Sequence, residues 1–459
     1  MQWNKTSRFS RALQLIGLCA LVQGSLSRPV LAQDNAPVTL TLPAALDLAL
    51  KQNRDIQLAQ LAVVDSEHKK QIARSAYFPQ IRNESTVLHL TELEGVVFPP
   101  GSFGSPAATG PIPPHTLIID QGSLTAYTSG TGLAQPLTQM FKIHASNRAA
   151  TADVNFARIE VNQAQNEIAL RVRQLYYGIL IAQQKQKSAA EEVDASQIGL
   201  QENTDAVARG KALEVVALDS RAALLEAKQS VLTQGLQIHD LMFALNDLLG
   251  LPLTTQLQLS EDPPGVAVSL PSREECVRIA RDQSPEVRAA QQAVEKAKAG
   301  LTAAKDAYIP DVTGIARYSY QSGVPLLVHN FGTFGVTFTY DLFDGGRRSA
   351  EIGESRTQLA QAELNLTKVE EAVSVNVETA FDKVEQMQGM VGVAEELLKA
   401  RTEAARVADR QFEQSAALAS VRTESAAKVS SAKASLLEAN LGLSLAEGEL
   451  KRAMGQLPR

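Results

Sequence analysis

The feature that most constrains the fold is a stretch of about 110 residues after Gly346 that contains no proline before Pro458. Apolar side chains recur in it at alternating steps of four and three. They are Val373, Val377, Ala380, Val384, Met387, Val391, Ala394 and Leu398. A repeat of 3.5 residues is shorter than the 3.6 residues of a straight helical turn, so it indicates left-handed supercoiling against a partner helix. We therefore predict long coiled-coil helices and an elongated molecule.

The chain is a tandem duplication. "SAYFPQI" (75–81) matches "DAYIPDV" (306–312) at an offset of 231, and "QPLTQMFK" (135–142) matches "YDLFDGGR" (340–347) at an offset of 205. The first copy therefore has 26 more residues between its matched blocks, and this surplus is rich in proline, glycine and serine, which predicts a loop. We divide the mature chain into a first repeat at 33–250, a linker at 251–267 and a second repeat at 268–459. The long helical pairs occupy 138–250 and 344–455.

Each repeat contains two predicted strands, at about 81–91 and 123–136 and then at about 312–321 and 333–343. The fourth strand places four apolar side chains on one face, at Phe334, Val336, Phe338 and Tyr340. The third has Thr313, Arg317, Ser319 and Gln321 on its polar face. About ten residues with this alternation are typical of a transmembrane β-strand. In the first pair Arg82, Glu84 and His89 would have to face a lumen or lie outside the bilayer.

Four strands cannot span a membrane alone, because the sheet would expose two unpaired edges to lipid. If the strands cross a bilayer, several chains must share one barrel. The alternative is a soluble four-stranded sheet that covers one end of a helical bundle.

The N-terminus predicts a secretory signal peptide at 1–32. Lys5, Arg8 and Arg11 precede an apolar core that is too short to span a bilayer, and we place cleavage after Ala32. Cys19 would be the alternative lipid-anchor residue, but the bulky Leu18 precedes it, where a small residue is needed. Cys276 is then the one cysteine of the mature chain, which excludes an intrachain disulfide.

Several function classes lack support in the sequence. The formal net charge is -6 with no basic block, which gives no indication of nucleic-acid binding. The six histidines form no i, i+4 pair, and no phosphate-binding loop or GxSxG motif is present. We predict no catalytic residue, no cofactor and no metal site, and the chain is not expected to be an enzyme.

The tandem halves, "LTLPAALDLALKQN", the "AYFPQI" and "AYIPDV" pair and "YDLFDGGRR" resemble the TolC-type outer-membrane channels, also called outer-membrane efflux proteins. The resemblance covers nearly the whole mature chain. It implies a mixed α and β membrane protein, a homotrimer whose protomers each give four strands to a 12-stranded β-barrel continued by a periplasmic α-helical barrel. It also implies a location in the outer membrane of a Gram-negative bacterium.

The function implied is that of a passive exit duct in a tripartite efflux or type I secretion system. The implied partners are the chain itself, outer-membrane lipid, a periplasmic adaptor protein and an inner-membrane pump of RND, ABC or MFS type. The alternative is a periplasmic coiled-coil scaffold attached to the outer membrane. A secreted hydrolase, the third class, lacks a candidate nucleophile. The exported substrate, the pump class and the adaptor are not specified by the sequence.

The resemblance also assigns candidate site residues. Phe334, Val336, Phe338 and Tyr340 would face lipid. Pro136 in the first repeat, and Asp344, Gly345 and Gly346 in the second, would redirect each strand into its helix, with Asp344 as the N-cap.

The periplasmic tips would lie at 208–223 and 413–427. The candidate gate residues there are Arg209, Gly210, Asp219, Arg410 and Glu424. Ser415 replaces the glycine of the first tip, which predicts a stiffer second turn. Solvated charges at helix ends are the alternative interpretation of the tip residues.

Overall fold

A computed structural model describes residues 38–93, 95–119, 122–260, 271–323 and 328–456. The predicted signal peptide and Cys19 lie outside the described residues. In chain order the elements are β1 (Val38–Leu40), α1 (Leu42–Gln52), α2 (Arg54–Ser75), β2 (Gln80–His89), β3 (Val96–Phe98), β4 (Leu117–Ile119), β5 (Thr125–Pro136), α3 (Met140–Ala208), α4 (Glu214–Leu249), β6 (Leu257–Leu259), α5 (Arg273–Gln283), α6 (Pro285–Asp306), β7 (Asp311–Ser322), β8 (Asn330–Thr339), α7 (Arg347–Glu413) and α8 (Ala419–Ala453).

The four longer strands form one antiparallel sheet in the order β2-β5-β7-β8. The central β5–β7 pair joins the two repeats, while β2 and β8 are the outer strands. This confirms the prediction of four longer strands and long helices, and the pairing shows that the strands are antiparallel. The last strand ends at Thr339, however, rather than at 343, because a turn over 340–346 begins there and is bonded to the start of α7.

The proline-rich surplus of the first repeat is more ordered than its composition indicates. It contains a short antiparallel hairpin in which β3 pairs with β4, from Val96 opposite Ile119 to Phe98 opposite Leu117. The rings of Phe98 and Phe103 lie 5.2 Å apart. A loop was predicted for this whole segment, and the hairpin corrects that prediction. Each of its strands is a run of only three apolar residues, which is too short to show an alternation among the prolines and glycines.

The body of the protein is built from two helical hairpins. Helix α3 has 69 residues and is about 100 Å long, and α7 has 67 residues. Helix α4 packs against α3, α3 packs against α8, and α8 packs against α7, which gives the lateral order α4–α3–α8–α7. Closer to the sheet the order is α2–α3–α6–α7, which follows the strand order β2-β5-β7-β8.

The apolar repeat read from the sequence forms the buried seams between these helices. Val373, Val377 and Val384 of α7 are buried with Leu450 of α8. In the first repeat, buried residues of α3 pack with residues of α4 and with β1 and β6; they include Val172, Tyr176, Ile179, Leu245, Leu249, Leu257 and Leu259. The seams therefore account for most of the buried side chains along the helices.

Two three-residue strands, β1 and β6, pair in parallel and pack against α3 and α4. The hydroxyl of Tyr176 donates hydrogen bonds toward the carbonyl oxygens of Leu40 and Ser260, at 3.0 and 2.7 Å. Strand β6 lies inside the segment that was predicted to be a linker. The pairing joins residues that are more than two hundred positions apart in the sequence. It could not be predicted, because strands of three residues are too short to show a periodic pattern.

Candidate functional site

The two faces of the four-stranded sheet differ in charge. Pairing places Ile81, Leu133, Ala316 and Phe334 in one row across the sheet. The adjacent row on the opposite face contains Arg82, Gly132, Arg317 and Thr333. Phe334 is 91% exposed in the single chain, and Val336 and Phe338 of the same face are also exposed. The sheet therefore has an apolar face and a face that carries charges near the middle of its strands.

The apolar face also contains polar residues on β2 and β5, and these bond to one another. Asn83 donates to the hydroxyl of Thr131 at 2.8 Å, and the hydroxyls of Ser85 and Ser129 are 2.9 Å apart. Mutual hydrogen bonds lower the cost of placing such groups in an apolar environment. His89, the last residue of β2, bonds to Thr125 at the strand end, 2.9 Å away.

In the second repeat, the junction between strand and helix is organised by Arg348. Its guanidinium lies 5.2 Å from the ring centre of Tyr308 and 5.0 Å from that of Tyr340. It also donates to the Asp344 carboxylate at 2.6 Å and to the carbonyl oxygen of Asp341. Tyr340, predicted to continue the lipid-facing strand, lies just past its end and covers this arginine.

Asp344 binds backbone N–H groups at the start of α7, but it is not the N-cap residue that was predicted. Gly346 occupies that position with φ of 90°, and Gly345 also has a positive φ. The Asp344 carboxylate accepts hydrogen bonds from the backbone N–H groups of Gly346 and Arg348. The hydrogen bond from the Arg348 side chain, with these backbone bonds, lowers the pKa of Asp344 to about 2. The two glycines move the helix start by two residues, which is why the cap prediction was wrong.

In the first repeat, the corresponding junction is fastened to the second repeat. Pro136 is the last residue of β5 and pairs with Thr313 of β7. The Thr138 hydroxyl donates to the carbonyl of Pro310 at 2.6 Å and accepts from the backbone N–H of Val312 at 2.8 Å. Lys142 and Asp311 form an ion pair at 3.2 Å.

The two tip turns have the same backbone conformation although their sequences differ. Gly210 has φ of 68° and Ser415 has φ of 57°. The N–H that follows each residue donates to an equivalent carbonyl, from Lys211 to Ala206 and from Ala416 to Gln411, both at 2.8 Å. Serine therefore adopts the left-handed conformation that glycine favours, as helix C-termini often require.

The predicted gate charges are exposed at these tips. Asp219 and Glu424 lie in the second turns of α4 and α8, and Glu424 pairs with Lys428 on its own helix at 2.5 Å. Arg209 pairs with Asp205 of α3 at 3.3 Å, and Arg410 is exposed near the end of α7. Within one chain, these residues are not brought together into a single cluster.

Sequence reasoning missed Glu202, which connects the two helical hairpins near the tips. Its carboxylate accepts from the backbone N–H groups of Ala419 and Ser420, at 2.9 Å and 3.3–3.4 Å. A glutamate of α3 thus caps the N-terminus of α8, where the helix dipole favours negative charge. No local sequence signal could have revealed this contact, because Glu202 is more than two hundred residues from Ala419 and Ser420 in the sequence.

The lateral edges of the body carry exposed apolar stripes. On α4 the stripe is Leu218, Leu225, Leu232, Leu236 and Phe243; on α7 it is Leu364, Val375, Val393, Leu397 and Val407. At 100° per residue, the members of each of these two stripes fall within about 80° of one another around the helix, so each stripe occupies one face. On α2, Leu58, Leu61 and Ile72 are exposed as well. We call these residues the lateral stripes.

None of the described helices combines the length and the apolar character that a membrane-crossing helix needs. In the same parts of the chain, no group of three or more His, Cys, Asp and Glu side chains is arranged to hold a metal ion.

Comparison with known proteins identifies the class. The family model described as "Outer membrane efflux protein" matches residues 45–251 and 276–456. The outer membrane efflux protein BepC of Brucella suis is 24% identical over 393 residues, covering 83% of this chain and 77% of the relative.

Solved structures have the same fold. The CmeC outer membrane channel of Campylobacter jejuni superposes with a TM-score of 0.71 at 14% identity, covering 90% of this chain and 85% of that one. The outer membrane protein VceC of Vibrio cholerae gives 0.71 at 15% identity, covering 91% and 97%.

A four-stranded sheet on a long helical body is thus the protomer fold of outer-membrane channels. This chain belongs to the outer membrane efflux protein family. It is an outer-membrane efflux channel of a tripartite system, with its helical part in the periplasm, and the family is not one of enzymes. The resemblance to TolC-type channels is confirmed, and the scaffold alternative is set aside.

Proposed function

We propose that three copies of this chain form one continuous duct, with a shared barrel of twelve strands in the outer membrane. The observation that carries this proposal is the sheet topology. Strands β2 and β8 each pair on one side only within the described residues. In a bilayer the open edges must be paired, and joining β2 of one copy to β8 of the next satisfies them in a closed ring.

The helical body supports the same arrangement. The lateral stripes of α2 and α4 lie at one edge of the protomer, and that of α7 lies at the other. These are the edges that continue from β2 and β8. If one edge of each copy packs against the opposite edge of the next copy, the copies form a closed ring. Both sets of lateral stripes are then buried, and the partner at each edge is another copy of the chain.

The orientation of the strands follows from their two faces. Phe334, Val336 and Phe338 would face lipid, and the face with Arg82 and Arg317 would face the water-filled lumen. The chain is then a passive conduit from the periplasm to the exterior, and any energy is supplied by its partners. Those partners would be a periplasmic adaptor protein and an inner-membrane pump of RND, ABC or MFS type.

The tips would form the periplasmic entrance. In a trimer Asp219 and Glu424 would supply six carboxylates close to the constriction, which would attract cations. Gly210 gives the first turn its conformation, and Arg209 and Arg410 would pair with carboxylates at the tips and hold the entrance closed. If the double variant Asp219→Ala, Glu424→Ala has the conductance and cation preference of the wild type, this gating role is refuted.

Neighbouring residues of β8 test the orientation of the strands. Phe334→Arg would place a charge in lipid, at a cost of about 2–4 kcal/mol near the bilayer midplane, whereas Thr333→Arg would place the same charge in the lumen. We expect Thr333→Arg to reach the outer membrane and to give conductance steps in planar bilayers, while Phe334→Arg is strongly depleted from that fraction. Equal amounts and equal conductance for both variants would contradict the proposal.

A further inference from the structure

Three charged side chains lie together on the lumen-facing side of the sheet, near the middle of the strands. Arg82 and Arg317 belong to one row of paired residues, and Glu84 belongs to the next row. We call Arg82, Glu84 and Arg317 the charged band. The apolar face contains no Asp, Glu, Lys or Arg among the described residues of the four strands. The charges therefore belong to one face.

Gly130 shapes the band. A Cβ atom built at this position would lie 2.5 Å from both Nε and Nη2 of Arg317. The guanidinium therefore lies over β5, at a position where any side chain would displace it. Gly132, the paired residue between Arg82 and Arg317, likewise has no side chain to separate them.

The one carboxylate of the band is shared between the two guanidinium groups. Arg317 Nη1 lies 3.9 Å from Glu84 Oε2, and Arg82 Nη1 lies 4.0 Å from Glu84 Oε1. These long distances satisfy only part of the donor capacity of the two arginines. The side chains are also half-exposed or more, at 50% for Arg317 and 77% for Arg82. Each chain therefore presents a net charge of +1 and free guanidinium donors.

We propose that the charged band is an anion-recognising section of the channel wall. It would favour solutes that carry a carboxylate, sulfonate or phosphate group as they pass through the barrel, because guanidinium groups bind such oxyanions through paired N–H donors. The inference rests on the proposed function, since it needs this face to line a shared lumen. Three copies would give a ring with a net charge of +3.

Ion selectivity tests the band through charge changes of opposite sign. The assay is the reversal potential of single channels in planar bilayers with a tenfold gradient of potassium chloride and about 0.1 M salt on the dilute side, where screening extends to about 10 Å. Arg317→Gln should lower the permeability ratio of chloride to potassium by about two- to fivefold, because the net charge of the band falls to zero. Glu84→Gln should raise the ratio.

Matched variants separate charge from structure. Arg317→Lys keeps the charge and should retain most of the wild-type ratio, and Thr333→Gln, in the same row, should leave it unchanged. A normal conductance step with the same ratio in the wild type, Arg317→Gln and Glu84→Gln would overturn the inference and leave the proposed function intact. An absence of conductance in the wild type would contradict the proposed function and remove the inference with it.

Discussion

Leu232 of α4 gives a quantitative test of the interface between copies. Its side chain is 71% exposed in the single chain and lies in the middle of a lateral stripe. Truncation to alanine removes three carbon atoms, each worth about 0.8 kcal/mol when buried. Scaled by the exposed fraction, the loss is about 1.7 kcal/mol at one interface. A closed trimer contains three such interfaces, so the total is about 5 kcal/mol.

A change of this size corresponds to about three to four powers of ten in the trimer dissociation constant. We expect Leu232→Ala to dissociate at protein concentrations where the wild type stays trimeric. The measurement is the ratio of trimer to monomer by native mass spectrometry along a dilution series in one detergent. Leu342→Ala is the control, because Leu342 is 91% exposed just beyond β8 and would contact detergent in both states. A dissociation constant for Leu232→Ala within tenfold of the wild type would show that Leu232 is not buried between copies.

Three further outcomes follow from local geometry. Asp344→Asn should lower the Tm measured by circular dichroism at pH 7; since the pKa of Asp344 is lowered to about 2 in the folded protein, the difference from the wild type should be complete above about pH 4 and vanish as the pH falls through 2. A difference as large at pH 2 as at pH 7 would contradict this. Ser415→Gly should slow amide exchange at the second tip, because it relieves up to about 1 kcal/mol of strain from the left-handed backbone conformation. Gly210→Ala should speed amide exchange at the first tip for the same reason. Faster exchange in Ser415→Gly and slower exchange in Gly210→Ala would contradict the left-handed conformation of these residues. Tyr176→Phe should accelerate amide exchange around β1 and β6, since it removes the hydroxyl that bonds to the carbonyl oxygens of Leu40 and Ser260, a loss of about 0.5–1.5 kcal/mol; unchanged exchange would show that the hydroxyl is dispensable.

The parts of this fold that can be predicted from the sequence are those in which apolar residues recur at a regular spacing. The seam at Val373, Val377 and Val384 is visible because burial against a neighbouring helix selects apolar residues at a fixed spacing. The rows of the sheet are visible for the same reason, since Ala316 and Phe334 alternate with the polar Arg317 and Thr333.

The parts that could not be predicted depend on contacts between distant residues. The alternation in β8 continues past its end at Tyr340, because that ring is needed to cover Arg348 rather than to extend the strand. Glu202 reaches the start of α8 only because α3 and α8 are adjacent in the folded chain. The identity of Ser415 predicted a stiffer turn, but its backbone takes the same left-handed conformation as Gly210. Residue type alone did not reveal the conformation that the helix end imposes.

The shared barrel is tested most directly by the mass of the protein extracted in mild detergent from a purified outer-membrane fraction. Native mass spectrometry should give three chains, each beginning at Gln33 if cleavage follows Ala32. This result would establish that the open edges of β2 and β8 are closed by neighbouring copies. A single chain in that fraction, or a water-soluble monomer absent from it, would contradict the shared barrel.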